Sequence, residues 1–302
     1  MSRKIFITGY HGQMARALVR AFSARGDIVQ SAGRSEVDIT NAAVVHSTIF
    51  AFRPSLIINT AAYTAVDKAE DDAGEAYRIN CDGARHVAAT ARMVAAPLIH
   101  ISTDYVFDGH KPTPYTETDP THPIGVYGQS KLAGEQAVAD ETADHVILRT
   151  SWLFSADGSN FVKTMLRRAD ERKVMNVVND QWGTPTYAAD LAAAITAIGE
   201  SLLSVEDRST LCGVFHATAS GETTWYRFAR AIMECSAAKG GPSCNLRPIK
   251  TTEYPTRAHR PANSRLDGSK LARTFGVRLP EWQASLEGCL DQLIAAPRGK
   301  ET

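Results

Sequence analysis

Apolar, β-branched runs alternate with longer stretches of helical period through the first half of the chain. Lys4–Thr8 reads as a strand, 12–25 as a helix and 27–32 as a second strand. The order repeats, with 41–52 as helix, 55–59 as a buried strand, 72–95 as a long Ala-rich helix, 98–102 as strand, 128–140 as helix and His145–Thr150 as strand. Strands separated by helical crossovers predict an α/β fold, a doubly wound parallel sheet with helices on both faces. Beyond about residue 151 the pattern loosens. Segments 160–172 and 188–203 are helical, and Val174–Val178 reads as one more strand of the same sheet. Residues 1–150, completed by 173–200, therefore form the expected core, and 151–302 mainly a smaller substrate-binding region. That region includes 213–218, a helix near 224–238, a Pro- and Arg-rich segment at 247–265 and a closing helix near 281–294. The tail 297–302 is expected to fray.

Composition narrows the class. A chain of 302 residues makes one large or two unequal domains at about 150 residues each. With 33 Lys+Arg against 33 Asp+Glu there is no basic field to attract nucleic acid or an acidic membrane surface. Apolar residues at 44% and charged residues at 22% exclude a disordered or fibrous chain. Cys81, Cys212, Cys235, Cys244 and Cys289 are scattered, with no C-x-x-C pair, so reduced structural thiols are expected. The first residues hold too short an apolar run for a signal peptide, and no stretch is long and apolar enough to span a bilayer, so the cytoplasm is the expected location.

Directly after the first strand comes Gly9-Tyr10-His11-Gly12-Gln13-Met14-Ala15, a G-x-x-G-x-x-A turn opening a helix. Small residues there let the backbone approach a pyrophosphate, and the first helical N–H groups stabilise its charge, which makes the sheet Rossmann-type and the ligand a dinucleotide. The tip of the second strand, Ala32-Gly33-Arg34-Ser35, carries no acid to bind a ribose 2′-hydroxyl. Arg34 is suited instead to a 2′-phosphate, so NADPH is expected to serve at least as well as NADH; a solvated surface charge is the alternative. Asp38 and Ile39 are expected against the adenine. Ala61, Ala62 and Tyr63, past the third strand, are expected along the cofactor's path.

Tyr127-Gly128-Gln129-Ser130-Lys131 places a phenol and an amine at i and i+4 on one helix face. An ammonium beside a phenol favours its charged form and is expected to lower its pKa, and Lys131 is also suited to bond the nicotinamide ribose. Ser102-Thr103-Asp104-Tyr105 begins at the C-terminal end of the fourth strand, where open sheets hold their ligands, and Thr103 can hydrogen-bond a substrate carbonyl. Glycine turn, strand-end hydroxyl and Y-x-x-x-K together resemble the extended short-chain dehydrogenase/reductase family.

Within it, the segments Thr64-Ala65-Val66-Asp67-Lys68-Ala69-Glu70, 102–109, Arg149-Thr150-Ser151-Trp152, Asp180-Gln181-Trp182-Gly183-Thr184-Pro185-Thr186, Thr223-Thr224-Trp225-Tyr226 and Arg260-Pro261-Ala262-Asn263-Ser264-Arg265-Leu266 are similar to those of the dTDP-4-dehydrorhamnose reductase family. The resemblance runs almost end to end. It implies reduction by NADPH or NADH of C4 of a nucleotide-linked 4-keto sugar, the last step of a dTDP-rhamnose pathway that feeds lipopolysaccharide. Tyr127 would be the acid and Lys131 its partner, Thr103 and Asp104 would contact the sugar, and Trp152 would pack on the substrate. A homodimer is a further family-level expectation. So is Mg²⁺, but no ligand set is identified: where relatives carry a glutamate this chain has Ala189, with Asp190 beside it.

Three alternatives stay open. Related 4,6-dehydratases carry an Asp-Glu pair after the threonine, whereas Asp104 here precedes Tyr105, which favours reduction over elimination. A non-catalytic NADP-binding regulatory subunit is disfavoured by the intact Thr103, Tyr127 and Lys131. A reductase of another nucleotide-linked 4-keto-deoxysugar would keep the same residues. Arg260 is a candidate partner for the substrate diphosphate. Trp225 and Tyr226, at helical spacing with Phe228, read as packing. Lys68, Glu70, Asp71 and Asp72 read as a solvated charge run.

Overall fold

The structure, a computed structural model, describes residues 2–295. In chain order its elements are β1 (Lys4–Thr8), α1 (Gln13–Ala24), β2 (Ile28–Ala32), α2 (Ala42–Phe52), β3 (Leu56–Asn59), α3 (Val66–Ala69), α4 (Ala73–Tyr77), α5 (Ala84–Met93), β4 (Leu98–Thr103), α6 (Val126–Glu141) and β5 (His145–Thr150). There follow β6 (Leu153–Phe154), α7 (Phe161–Glu171), β7 (Val174–Val178), β8 (Trp182–Gly183), β9 (Thr186–Tyr187), α8 (Ala188–Ser204), β10 (Gly213–His216), β11 (Thr223–Thr224), α9 (Trp225–Ala238), β12 (Asn245–Ile249), α10 (Ser269–Phe275) and α11 (Trp282–Ala295). Residues 296–302, and with them the tail 297–302, lie outside the described residues.

Six strands form one parallel sheet in the order β10-β5-β4-β3-β1-β2. The chain winds outward from β1 in both directions, so the order reverses between β1 and β3, and the crevice above their C-terminal ends is the switch point of a Rossmann-type sheet. Strand alternation sorts the side chains: Ile5 and Ile7 pack with Leu18 of α1 and Leu191 of α8, while Phe6 packs with Ile49 of α2 and Val87 of α5. Asn41 caps α2 and Asn160 caps α7 through their side chains, which sets where those helices begin.

Two expectations are corrected. Val174–Val178 does not join the central sheet; it pairs in parallel with Asn245–Ile249 as a separate two-stranded ladder. Its alternating burial explains why: Met175 and Val177 face the cluster around α7, α9 and α11, while Val174 and Asn176 face out, unlike the fully buried β3. The sixth strand is instead β10, within the segment assigned to the substrate region, and it follows α8 as the crossover that lies against α1. The expected helix 72–95 also breaks, with a π-helical turn over Arg78–Gly83 between α4 and α5.

The second cluster, built from α7, α9, α11 and the short ladders, packs Phe154, Phe228 and Trp282. Among the described residues no helix is long and apolar enough to cross a membrane.

Candidate active site

The turn after β1 is shaped by crowding. Gly9 takes φ +80, and a Cβ there would lie 2.9 Å from Thr60 Oγ1 and 3.0 Å from Ala61 N, so no side chain fits between the loops after β1 and β3. Gly12 leads into α1 with no side-chain cap and no acid in the first turn, which leaves helical N–H groups facing the crevice for a pyrophosphate. Met14 and Ala15 bury their side chains in the core, so only their backbone is offered to a ligand. Gln13 bonds Leu153 O at 3.4 Å and Asn160 Nδ2 at 3.3 Å, tying the turn to the second cluster.

The other cofactor candidates ring this turn. Arg34 stands at the tip of β2 with its side chain 65% exposed, 3.1 Å from Glu75 and 3.6 Å from Asp38. Asp38 accepts from the backbone and hydroxyl of Thr40 at 3.0 and 2.8 Å. The Ile39 side chain is 5% exposed and packs against Gly83, so it belongs to the core. Ala61 N donates to Thr8 Oγ1 at 3.1 Å; Tyr63 N donates to Asn80 Oδ1 at 2.8 Å and its hydroxyl to Asp72 at 3.3 Å. Uncapped N–H groups, a glycine cradle and a cation at the tip of β2 fit a phosphorylated dinucleotide.

At the end of β4, Thr103 caps a 3₁₀ turn over Asp104–Val106 by accepting from Tyr105 N at 3.2 Å, and its hydroxyl donates to Asp104 Oδ1 at 3.0 Å. Tyr127 lies in the first turn of α6, its phenol near the Thr103 hydroxyl and its ring edge-on to Tyr105 at 5.6 Å. Gly128 makes this approach fit: a Cβ there would fall 2.1 Å from Tyr105 O. The Val126 N–H donates to Glu70 at 2.9 Å, so Glu70 anchors α6 and is no part of a solvated run; Asp71 likewise pairs with Arg257.

Electrostatics differ from expectation at Tyr127. Desolvation pushes its phenol up to about 12, with the nearby Thr103 hydroxyl pulling down and Asp104 pushing up. Lys131 does not lower it, because the amine is 2% exposed, bonded to Ile101 O at 2.7 Å, and pushed down to about 8 by burial against the pull of Glu135. Glu135 is itself held by Arg149 at 2.7 Å. Asp104 is 2% exposed; burial pushes its carboxyl up to about 7, the Thr103 bond works the other way, and Oδ2 has no hydrogen-bond partner.

Across the cleft a cavity of about 680 Å³ is walled by Tyr105, Arg168, Arg172, Gln181, Trp225 and Arg260 among others. Trp225, expected to be packing, is the indole on its wall; Trp152, expected against substrate, stacks on it at 3.5 Å and 9°. Trp152 holds φ 46, with Gly183 beneath its ring where a Cβ would lie 2.3 Å from Cε2. Arg260 forms a two-pronged pair with Asp67 at 2.8 and 3.2 Å and shares the cavity wall with Tyr105. Gln181 comes from the segment Asp180–Thr186, whereas Arg168 and Tyr254 stand at exposed positions with no motif around them. Among the described residues no group of three or more His, Cys, Asp or Glu could hold a metal, and Asp190 accepts from Ser285.

A Rossmann-type sheet with a glycine turn at its switch point and a Thr-Tyr-Lys set beside it is the architecture of the extended short-chain dehydrogenase/reductases. The sequence profile described as the RmlD substrate binding domain matches residues 3–295. A protein of Sinorhizobium fredii named dTDP-4-dehydrorhamnose reductase is 47% identical over 283 residues, covering 93% of this chain and 95% of its own, and that of Escherichia coli K12 is 41% identical, covering 96% and 98%. The crystal structure of dTDP-4-dehydrorhamnose reductase from Bacillus anthracis in complex with NADP superposes with a TM-score of 0.90 at 37% identity, over 97% of this chain and 100% of that one. The chain belongs to the dTDP-4-dehydrorhamnose reductase family.

Proposed function

We propose that the protein reduces the C4 ketone of dTDP-4-dehydro-β-L-rhamnose to dTDP-β-L-rhamnose, the last step in forming that sugar nucleotide. The observation that carries this reading is the Tyr127 phenol in the first turn of α6, set near Thr103 at the end of β4 and against the Tyr105 ring, with Lys131 one turn further along. Bound NAD(P)H would supply the hydride to C4. Tyr127 would supply the proton to O4: a phenol held at about 12 is fully protonated at neutral pH and stays a donor until negative charge develops on the substrate oxygen. Thr103 would orient that oxygen, and the Lys131 ammonium would bond the nicotinamide ribose and so hold the hydride-bearing ring beside Tyr127. Asp104 and Trp152 would contact the sugar, and Arg260 the diphosphate. Elimination is disfavoured because the group after Asp104 is no second carboxylate but a phenol whose proton desolvation holds well above the usual range.

In this reading residues 1–150 supply cofactor and catalytic groups, and later segments mainly the sugar side. Arg34 favours NADPH, since a 2′-phosphate would complete its pairing at the open edge. A cytoplasmic homodimer with reduced thiols goes with the family expectation.

The test follows NADPH and NADH oxidation with dTDP-4-dehydro-L-rhamnose generated in situ. Turnover to dTDP-rhamnose that falls by about 10²–10⁴-fold in Tyr127→Phe, with cofactor binding intact, supports the proposal. Turnover only with another 4-keto-deoxysugar would overturn the substrate, and cofactor binding without turnover would overturn catalysis.

A further inference from the structure

Three buried polar side chains stand side by side on adjacent strands: Thr8 of β1 is opposite Asn59 of β3, which is opposite His100 of β4. Each is at most 1% exposed. Their hydrogen bonds run in one direction. The backbone N–H groups of Thr60 and Ala61 both donate to Thr8 Oγ1 at 3.1 Å, so the Thr8 proton goes to Asn59 Oδ1, 2.6 Å away. That fixes the amide, and Asn59 Nδ2 donates to His100 Nδ1 at 3.0 Å. An imidazole accepting at Nδ1 carries its proton on Nε2, and His100 Nε2 lies 3.4 Å from Lys131 Nζ. An ammonium has three donors and no acceptor, so only the amine form of Lys131 can receive this N–H.

We infer that His100 is a positioning residue for Lys131: the row Thr8, Asn59, His100 aims an N–H at the lysine nitrogen, favours amine over ammonium, and makes Lys131 a titrating group instead of a permanent cation. The other charged groups nearby do not offset this. Glu135, one turn along α6, favours the ammonium, but Arg149 of β5 binds its carboxylate in two-pronged fashion and Ser102 donates to it. His145, at the start of β5, and Lys131 itself add to burial in holding His100 well below its ordinary range, so it stays neutral. The row starts where Thr60 and Ala61 crowd Gly9, so one set of bonds shapes the pyrophosphate turn and sets the state of the lysine.

The charge state is read without activity. In isotope-labelled, cofactor-free protein, nitrogen NMR is expected to show His100 as the neutral Nε2–H tautomer from about pH 6 to about pH 9. The Lys131 signal, identified by its loss in Lys131→Met, is expected to titrate near 8. His100→Leu is expected to raise that titration by about one unit, while His100→Gln, whose amide can accept from Asn59 and donate to Lys131, keeps it in place. An Nδ1–H or doubly protonated His100 would overturn the inference, even if the leucine variant does not fold; so would an unmoved titration in that variant. The consequence for catalysis rests on the proposed function. There kcat/KM should fall above about 8 as the ammonium is lost, and that limb should move up in His100→Leu. A titration that moves while the limb stays fixed would uphold the inference and refute the Lys131 role in the reaction.

Discussion

On the sheet side of the cleft the catalytic candidates hang from regular elements: Thr103 ends β4, Tyr127 and Lys131 share one face of α6, and the glycine turn follows β1 directly. On the facing side, Trp152, Trp225 and Arg260 stand in the bend before β6, at a helix start and in an irregular segment, joined by an indole stack and an ion pair. Backbone ladders hold the first wall, so its geometry is fixed by the fold. Side-chain contacts hold the second, so its shape can change with few substitutions while the sheet stands. The chemistry and the choice of sugar are thereby placed on parts of different stiffness.

Gly128→Ala tests the stiff wall hardest. With Tyr105 O in the way of a Cβ, the change should cost about 3 kcal/mol in thermal unfolding and lower kcat as Tyr127 shifts; an unchanged melting temperature would mean that α6 has room to move and the contrast is false. Asp104→Asn should act next most strongly. Because burial raises the Asp104 carboxyl to about 7, the folded protein keeps a proton that the unfolded chain has lost, and this group's contribution to stability falls as pH rises from about 4 to about 7. The asparagine variant lacks that loss, so its Tm relative to the parent should climb by several degrees across the same window. A constant difference would show an ordinary carboxylate.

Trp225→Leu probes the soft wall, where a roughly tenfold rise in the sugar-nucleotide KM with little change in kcat or Tm is expected. Equal loss of kcat would place the indole with the chemistry. Asp67→Asn should be mildest, raising KM by about threefold, since its side chain is 47% exposed and water screens the pair with Arg260. A salt-independent effect would argue for a tighter contact.

The same contrast governs what the sequence reveals. The glycine turn, Thr103 and Tyr127/Lys131 are local patterns on strongly periodic elements, and the structure brings them to one crevice. Sheet membership is not local: Val174–Val178 and Gly213–His216 both read as short apolar runs, and only packing decides that the second closes the central sheet. Trp225 and Phe228 share a helical stripe, yet Phe228 is buried at 0% and Trp225 walls the cavity, because the stripe crosses from core to cleft. His100 sits in an apolar run without a motif, and its partners Asn59 and Lys131 are 41 and 31 residues away along the chain.

The pair between Asp67 and Arg260 spans 193 residues, and Asn263 reaches back 152 residues to Lys111 O. During synthesis at roughly 5–20 residues per second, Tyr127 and Lys131 leave the ribosome about ten seconds before Arg260. Until β10 arrives, the growing chain also shows β5 as a bare sheet edge, an invitation to mispairing. The sugar-facing wall is thus the last part delivered, and a chain released early would own its proton donor but have nothing with which to grip a substrate.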